Sequence, residues 1–137
     1  MCDVLRHVEL AERFLVEGRG LIDRDPIQAS EKLYKAAEEA VKAIAVALDL
    51  GEVKEALRRG RWTTKLLDDA VWSAGLKLGI KELQYLWDSA YKLHVDGFHE
   101  ARLTSDEVVR RVEAIETLVN IAKKVVQQNI NYKHPHK

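Results

Sequence analysis

One cysteine, Cys2, stands among 137 residues, so the chain cannot close an internal disulfide, and this usage suits a reducing compartment. Proline is almost as scarce. Pro26 and Pro135 are the only two, and the stretch between them lacks the ring that interrupts helices. No apolar run approaches the ~20 residues of a membrane span. Met1-Cys2-Asp3 leads straight into a charged segment, without the apolar core of a secretory signal. Neither sign of charge is in excess: 22 Lys plus Arg balance 22 Asp plus Glu. A global field therefore cannot draw the protein onto nucleic acid or anionic lipid, and any polyanion site must be a local patch. Gly18-Arg19-Gly20 follows no strand and is no dinucleotide fingerprint, and neither a Walker A loop nor a nucleophile elbow occurs. These absences predict a soluble cytoplasmic protein with no membrane association. With only three Asn and four Gln beside 32% charged residues, composition leans toward a heat-tolerant source.

What fills the chain is Ala, Leu, Glu, Lys and Arg in helical periodicity, with no β-type alternation. Val4, Val8, Ala11, Leu15, Gly18 and Ile22 form one stripe at alternating steps of four and three, a helix over residues 3–23, in which a close helix contact explains Gly18. Asp25-Pro26-Ile27-Gln28 starts a second helix, with Asp25 as N-cap, and Gly51 is expected to stop it. That helix is apolar almost all round and rich in alanine, so it should be central. Its narrow polar stripe, Glu31, Lys35, Glu38 and Lys42, suits i,i+4 pairing. A short helical turn near 52–59 follows. Thr63 or Thr64 then caps a third long helix, which ends at Gly79. The fourth carries Leu83, Leu86, Trp87, Ala90, Leu93 and His94 on one face as far as Gly97, and Thr104-Ser105-Asp106-Glu107 is a capping box for the last. The prediction is an all-α, up-and-down antiparallel bundle of four to five helices: one domain over 1–130, then a flexible polar tail, 131–137. Trp72 and Trp87 are core candidates.

The chemistry concentrates in Leu93-His94-Val95-Asp96-Gly97-Phe98-His99-Glu100. Histidine titrates near neutrality, so His94 and His99 form a candidate acid/base couple or ligand pair. In an unbroken α-helix, residues five apart are turned about 140° from each other and cannot share a ligand. They converge only if Gly97 redirects the chain or a second subunit supplies the partner. The bland alternative is a buried His94 and a helix-capping His99, each bonded to backbone. No metal site is expected. His99-Glu100 begins like a zincin helix but Leu103 replaces the second histidine, and His94, Asp96 and His99 are at most a loose trio. His134-Pro135-His136 reads as a polar end. Arg58, Arg61, Trp62 and Lys65 form the basic cluster that contains an aromatic. The cations could hold phosphates while Trp62 stacks on a base, or Trp62 simply staples onto Leu67.

The run Ala29–Ala43, together with Trp87-Asp88-Ser89-Ala90 through His94 to His99-Glu100, resembles the archaeal PaREP family. That family is similar to the HEPN superfamily of helical bundles. These serve as nucleotide-binding modules, as partners of minimal nucleotidyltransferases or as metal-independent RNases. The resemblance implies a homodimer with histidine motifs facing each other across the interface. It also implies an RNase signature of Arg, four to six residues, then His, just before the last helix. His99 matches the His, while His94 occupies the Arg position. The expectation is a nucleotide- or RNA-phosphate-binding accessory module without a cofactor. It would act through His94 and His99, helped by Arg58, Arg61, Trp62 and Lys65, and the resemblance offers a nucleotidyltransferase as its partner. The alternatives are a degenerate metal-independent RNase using the histidine pair, and a purely structural dimeric protein.

Overall fold

A computed structural model describes residues 2–133, and the described residues contain helices and no strand. The elements are α1 (Cys2–Leu21), α2 (Pro26–Ala47), α3 (Gly51–Arg59), α4 (Thr64–Leu78), α5 (Leu83–Lys92) and α6 (Ser105–Lys133). Between α5 and α6, the segment Leu93–His99 continues α5 as a π-helix. The short turn near 52–59 is thus a regular helix, which makes six. α6 runs three residues into the expected tail, and His134 to Lys137 lie outside the described residues. None of the helices is long and apolar enough to cross a membrane.

Local signals set most boundaries. The Asp25 carboxylate accepts the Gln28 N–H at 3.1 Å, with Pro26 in the first turn. Thr63, not Thr64, caps α4, accepting from the Leu66 N–H at 3.2 Å. The Thr104 hydroxyl accepts from the Glu107 N–H while Glu107 accepts from the Thr104 N–H, a reciprocal capping box. Gly60 and Gly79 end α3 and α4 in the left-handed conformation. Gly51 does not stop α2. Asp49 takes the positive φ there, and Gly51 begins α3.

α2 is the core helix, touching every other element. Twelve of its residues are buried, seven of them alanines, so neighbouring helices approach closely. Gly18 shows how closely. A Cβ there would lie 2.8 Å from the side chain of Leu33, which is itself fully buried. Gly18→Ala is expected to cost about 1–3 kcal/mol by overpacking, more than the gain in helix propensity. Urea denaturation checks this, and a midpoint at or above that of the parent would contradict it. The apolar seam of α6 packs as its spacing predicts, with Val108, Ile115, Val119, Ala122 and Val126 buried. One expectation fails: Trp72 is 61% exposed, unlike the buried Trp87. Beyond the seam of α6, Leu118 and Val125 are also buried, Ile121 is partly buried, and Val109 is open.

Candidate histidine site

The site begins with a steric constraint. The π-helical segment lies against α2 at Gly97, where a Cβ would sit 2.6 Å from the Ser30 Cβ and closer still to its hydroxyl. Ser30 is fully buried and donates to the Pro26 carbonyl at 2.7 Å, so it does not yield. Gly97 therefore neither ends nor kinks the helix; it lets the backbone reach α2.

A π-helix closes each hydrogen-bonded turn on the carbonyl five residues back rather than four. The Glu100 N–H to the Val95 carbonyl, 2.8 Å, is such a bond. Residues five apart then stand above one another, which is the spacing of His94 and His99. The turn is closed by the Arg102 N–H donating to the Asp96 carbonyl at 2.9 Å, with Ala101 left-handed at φ 52°. The two imidazoles meet, Nε2 to Nε2, at 3.2 Å. Convergence thus needs neither a redirected chain nor a second subunit.

On its other side, His94 Nδ1 lies 3.0 Å from Glu31 Oε1, and the ring stacks on Tyr34 with centroids 4.1 Å apart. A carboxylate can only accept, so Glu31 places the His94 proton on Nδ1 and leaves a lone pair on Nε2. His99 Nε2–H donates into that lone pair. The far nitrogen of His99 then has no hydrogen-bond partner among the described residues, and the residue is exposed. The result is a carboxylate–imidazole–imidazole chain running from α2 to solvent. Burial, then the charges of Glu38 and Glu31, push the Tyr34 hydroxyl far above its usual range, so the ring beside His94 stays neutral. Burial also raises Glu38, against the pull of Lys42.

The bland alternative of two backbone-bonded histidines does not describe this arrangement. The expected helper residues disperse. Arg58 is held by Glu55 on α3. Arg61 and Trp62 line a different cleft, with His7. Lys65 is ion-paired with Asp69 at 3.1 Å, and lines a cleft with Thr64, Trp87 and Tyr91. The Tyr91 ring lies 6.1 Å from His94, so Lys65 is the one helper whose cleft borders the histidines. Asp96 is engaged by Lys92 and Arg102, whose hydrogen bonds hold its carboxyl below the usual range. The described residues contain no group of three or more His, Cys, Asp or Glu placed to hold a metal.

Glu31 and Tyr34 are the residues that sequence reasoning missed. Glu31 turns to His94 rather than pairing with Lys35, and Lys42 pairs with Glu39. The available signal was the i,i+3 spacing of Glu31 and Tyr34 on a helix otherwise lined with alanine.

The family model of the archaeal PaREP1/PaREP8 family matches residues 6–119, which include every member of this chain of groups. The protein belongs to that family. This PaREP1/PaREP8 member is similar to a protein from Sulfolobus solfataricus whose crystal structure superimposes with a TM-score of 0.77. The two are 36% identical, over 85% of this chain and 96% of that one. A solution structure of the same target, described as the Orf c02003 protein, superimposes with a TM-score of 0.66 at 34% identity, over 98% of this chain and 96% of that one. Among the curated proteins, the PaREP1/PaREP8 member matches none.

Proposed function

We propose that this protein is a HEPN-like accessory module that binds the phosphate of a nucleotide or RNA at His99, with His94 and Glu31 behind it. The observation that carries the reading is the 3.2 Å contact between the imidazoles, anchored by Glu31. Taking up one proton at the outer nitrogen of His99 leaves the inner hydrogen bonds intact. It turns that nitrogen into a charged donor, backed by a carboxylate two groups away. A charged donor at the surface is what a phosphate oxygen requires. Lys65 lines the bordering cleft but is paired with Asp69, and Asp68 and Asp88 line the same cleft, so the reading rests on His99. The HEPN resemblance makes a nucleotidyltransferase a fitting partner.

Binding is favoured over cleavage by the same distance. Cleavage of RNA needs one imidazole to take the ribose 2′-OH proton as that oxygen attacks phosphorus. Another must protonate the 5′-oxygen as the P–O bond breaks, leaving a 2′,3′-cyclic phosphate. Attacking and leaving oxygens lie in line on opposite sides of phosphorus. Two imidazoles in mutual hydrogen-bond contact occupy one side. An RNase reading therefore requires the pair from a second copy.

A second copy also has a surface to occupy. Trp72, Leu76 and Tyr85 are exposed on α4 and α5 and line one cleft, while exposed Tyr91 lines the neighbouring cleft that borders the histidines. Equilibrium sedimentation at micromolar concentration is expected to show a dimer that Tyr85→Glu dissociates. A parent protein that stays at 15.6 kDa would exclude a composite site. The binding reading is tested by NMR titration with a short RNA and with nucleotides. Saturable shifts should appear on residues 91–102, and their absence from that segment at millimolar ligand would overturn it. Cleavage that persists in chelator and is lost in both His94→Ala and His99→Ala would establish the RNase reading instead.

A further inference from the structure

The chain holds a second histidine–carboxylate pair, which the reading above does not use. His7 on α1 has its Nδ1 2.7 Å from Glu39 Oε1 on α2, and Glu39 is also held by Lys42 at 3.1 Å. Burial pushes the Glu39 carboxyl up, but the hydrogen bonds from His7 and Lys42 outweigh it and leave it below the usual range. With Nδ1 committed to Glu39, Nε2 is the nitrogen of His7 left for a ligand.

His7 lines a cleft of about 340 Å³ between α1 and α3, within the size range of small-molecule sites. Its apolar wall includes Val53 and Ala56, and Arg61 and Trp62 close the far side. These last two are positioned by backbone rather than by chance. Gly60, at φ 80°, turns the chain out of α3, and the Arg61 N–H donates to the Ala56 carbonyl at 3.0 Å. Trp62 is half-buried and packed against the core, so its ring is ordered before any ligand arrives. Arg58 and Arg59 are both spent on Glu55, whereas Arg61 is exposed and has no ion-pair partner among the described residues.

The geometry points to a binding site in the His7–Arg61–Trp62 cleft for a small planar aromatic anion of the nucleoside monophosphate class. The indole offers a face for a base. The guanidinium fork fits a phosphate, and His7 Nε2 adds one further polar contact. Asp3, also lining the cleft, opposes additional negative charge and so favours one phosphate over three. The site uses none of the His94–His99 machinery.

The test is titration with AMP, followed at the Trp62 indole N–H by NMR. Saturable shifts are expected, at least about tenfold tighter for AMP than for adenosine or inorganic phosphate, a difference of about 1.4 kcal/mol. ATP should bind more weakly than AMP. Arg61→Ala, at an exposed position that folding does not need, should weaken AMP about tenfold, and Arg61→Lys should restore only part. His99→Ala should leave the Trp62 response unchanged, which separates this site from the one proposed above. Adenosine binding as well as AMP, an Arg61→Ala variant that binds normally, or shifts that do not saturate would each overturn the assignment.

Discussion

Gly97→Ala is expected to be the most damaging single methyl group that can be added to this chain. The new Cβ would have to fit where Ser30 already stands, 2.6 Å from its Cβ, and both residues are buried. No flexible side-chain end is available to move aside, so the π-helical segment must lift from α2. The loss should reach the upper part of the roughly 1–3 kcal/mol that overpacking costs, or exceed it. Lifting the segment also separates His94 from Glu31, so the inter-ring contacts seen by NMR should vanish along with stability. A double-mutant cycle isolates the cause. Ser30→Gly alone gives up a buried hydrogen bond and about 0.5 kcal/mol of helix propensity. Combined with Gly97→Ala it opens the space the methyl needs, and the pair should be less destabilised than the sum of the singles. Strict additivity would mean that the Gly97–Ser30 contact does not hold the segment in place.

The second large effect concerns the imidazole chain itself. His99→Ala removes the outer donor and should weaken binding of a phosphate-bearing ligand at least about tenfold, or about 1.4 kcal/mol. Glu31→Gln keeps shape and packing but removes the charge that balances a proton added to the pair, and should weaken binding in the same direction. The two variants test different parts of the chain of groups. Glu31→Gln should leave the ring contact of His94 with Tyr34 in place, whereas His99→Ala removes the outer imidazole altogether. Unchanged affinity in both variants would remove the imidazoles from the binding site.

Much of this architecture is legible because its causes are local. A carboxylate three residues before an amide, as in Asp25 and Gln28, or the exchange between Thr104 and Glu107, is complete within one turn of chain. The central place of α2 follows from its alanines, and the inward face of α6 from a repeat that continues along its length. Membership of a helical family was likewise carried by contiguous runs, Ala29–Ala43 and Trp87–Glu100. Such features need no knowledge of what lies across the bundle.

The site was decided elsewhere. Two histidines five apart suggested a pair, yet in an α-helix that spacing turns them away from each other. What brings them together is a π-helical segment, seated where glycine allows contact with a serine on another helix. Glu31 looked like one of several surface carboxylates, and only the packing of the segment on α2 sets it against a ring 63 residues away. The arginines looked like helpers to the same site, but α3 and the loop after it carry Arg58 and Arg61 to a different face. Helix propensity, caps and apolar spacing are properties of neighbours in sequence, so the chain alone determined its helices and which of them is central. Hydrogen bonds between helices depend on how closely two backbones approach, and here the fit of Gly97 against Ser30 decides that.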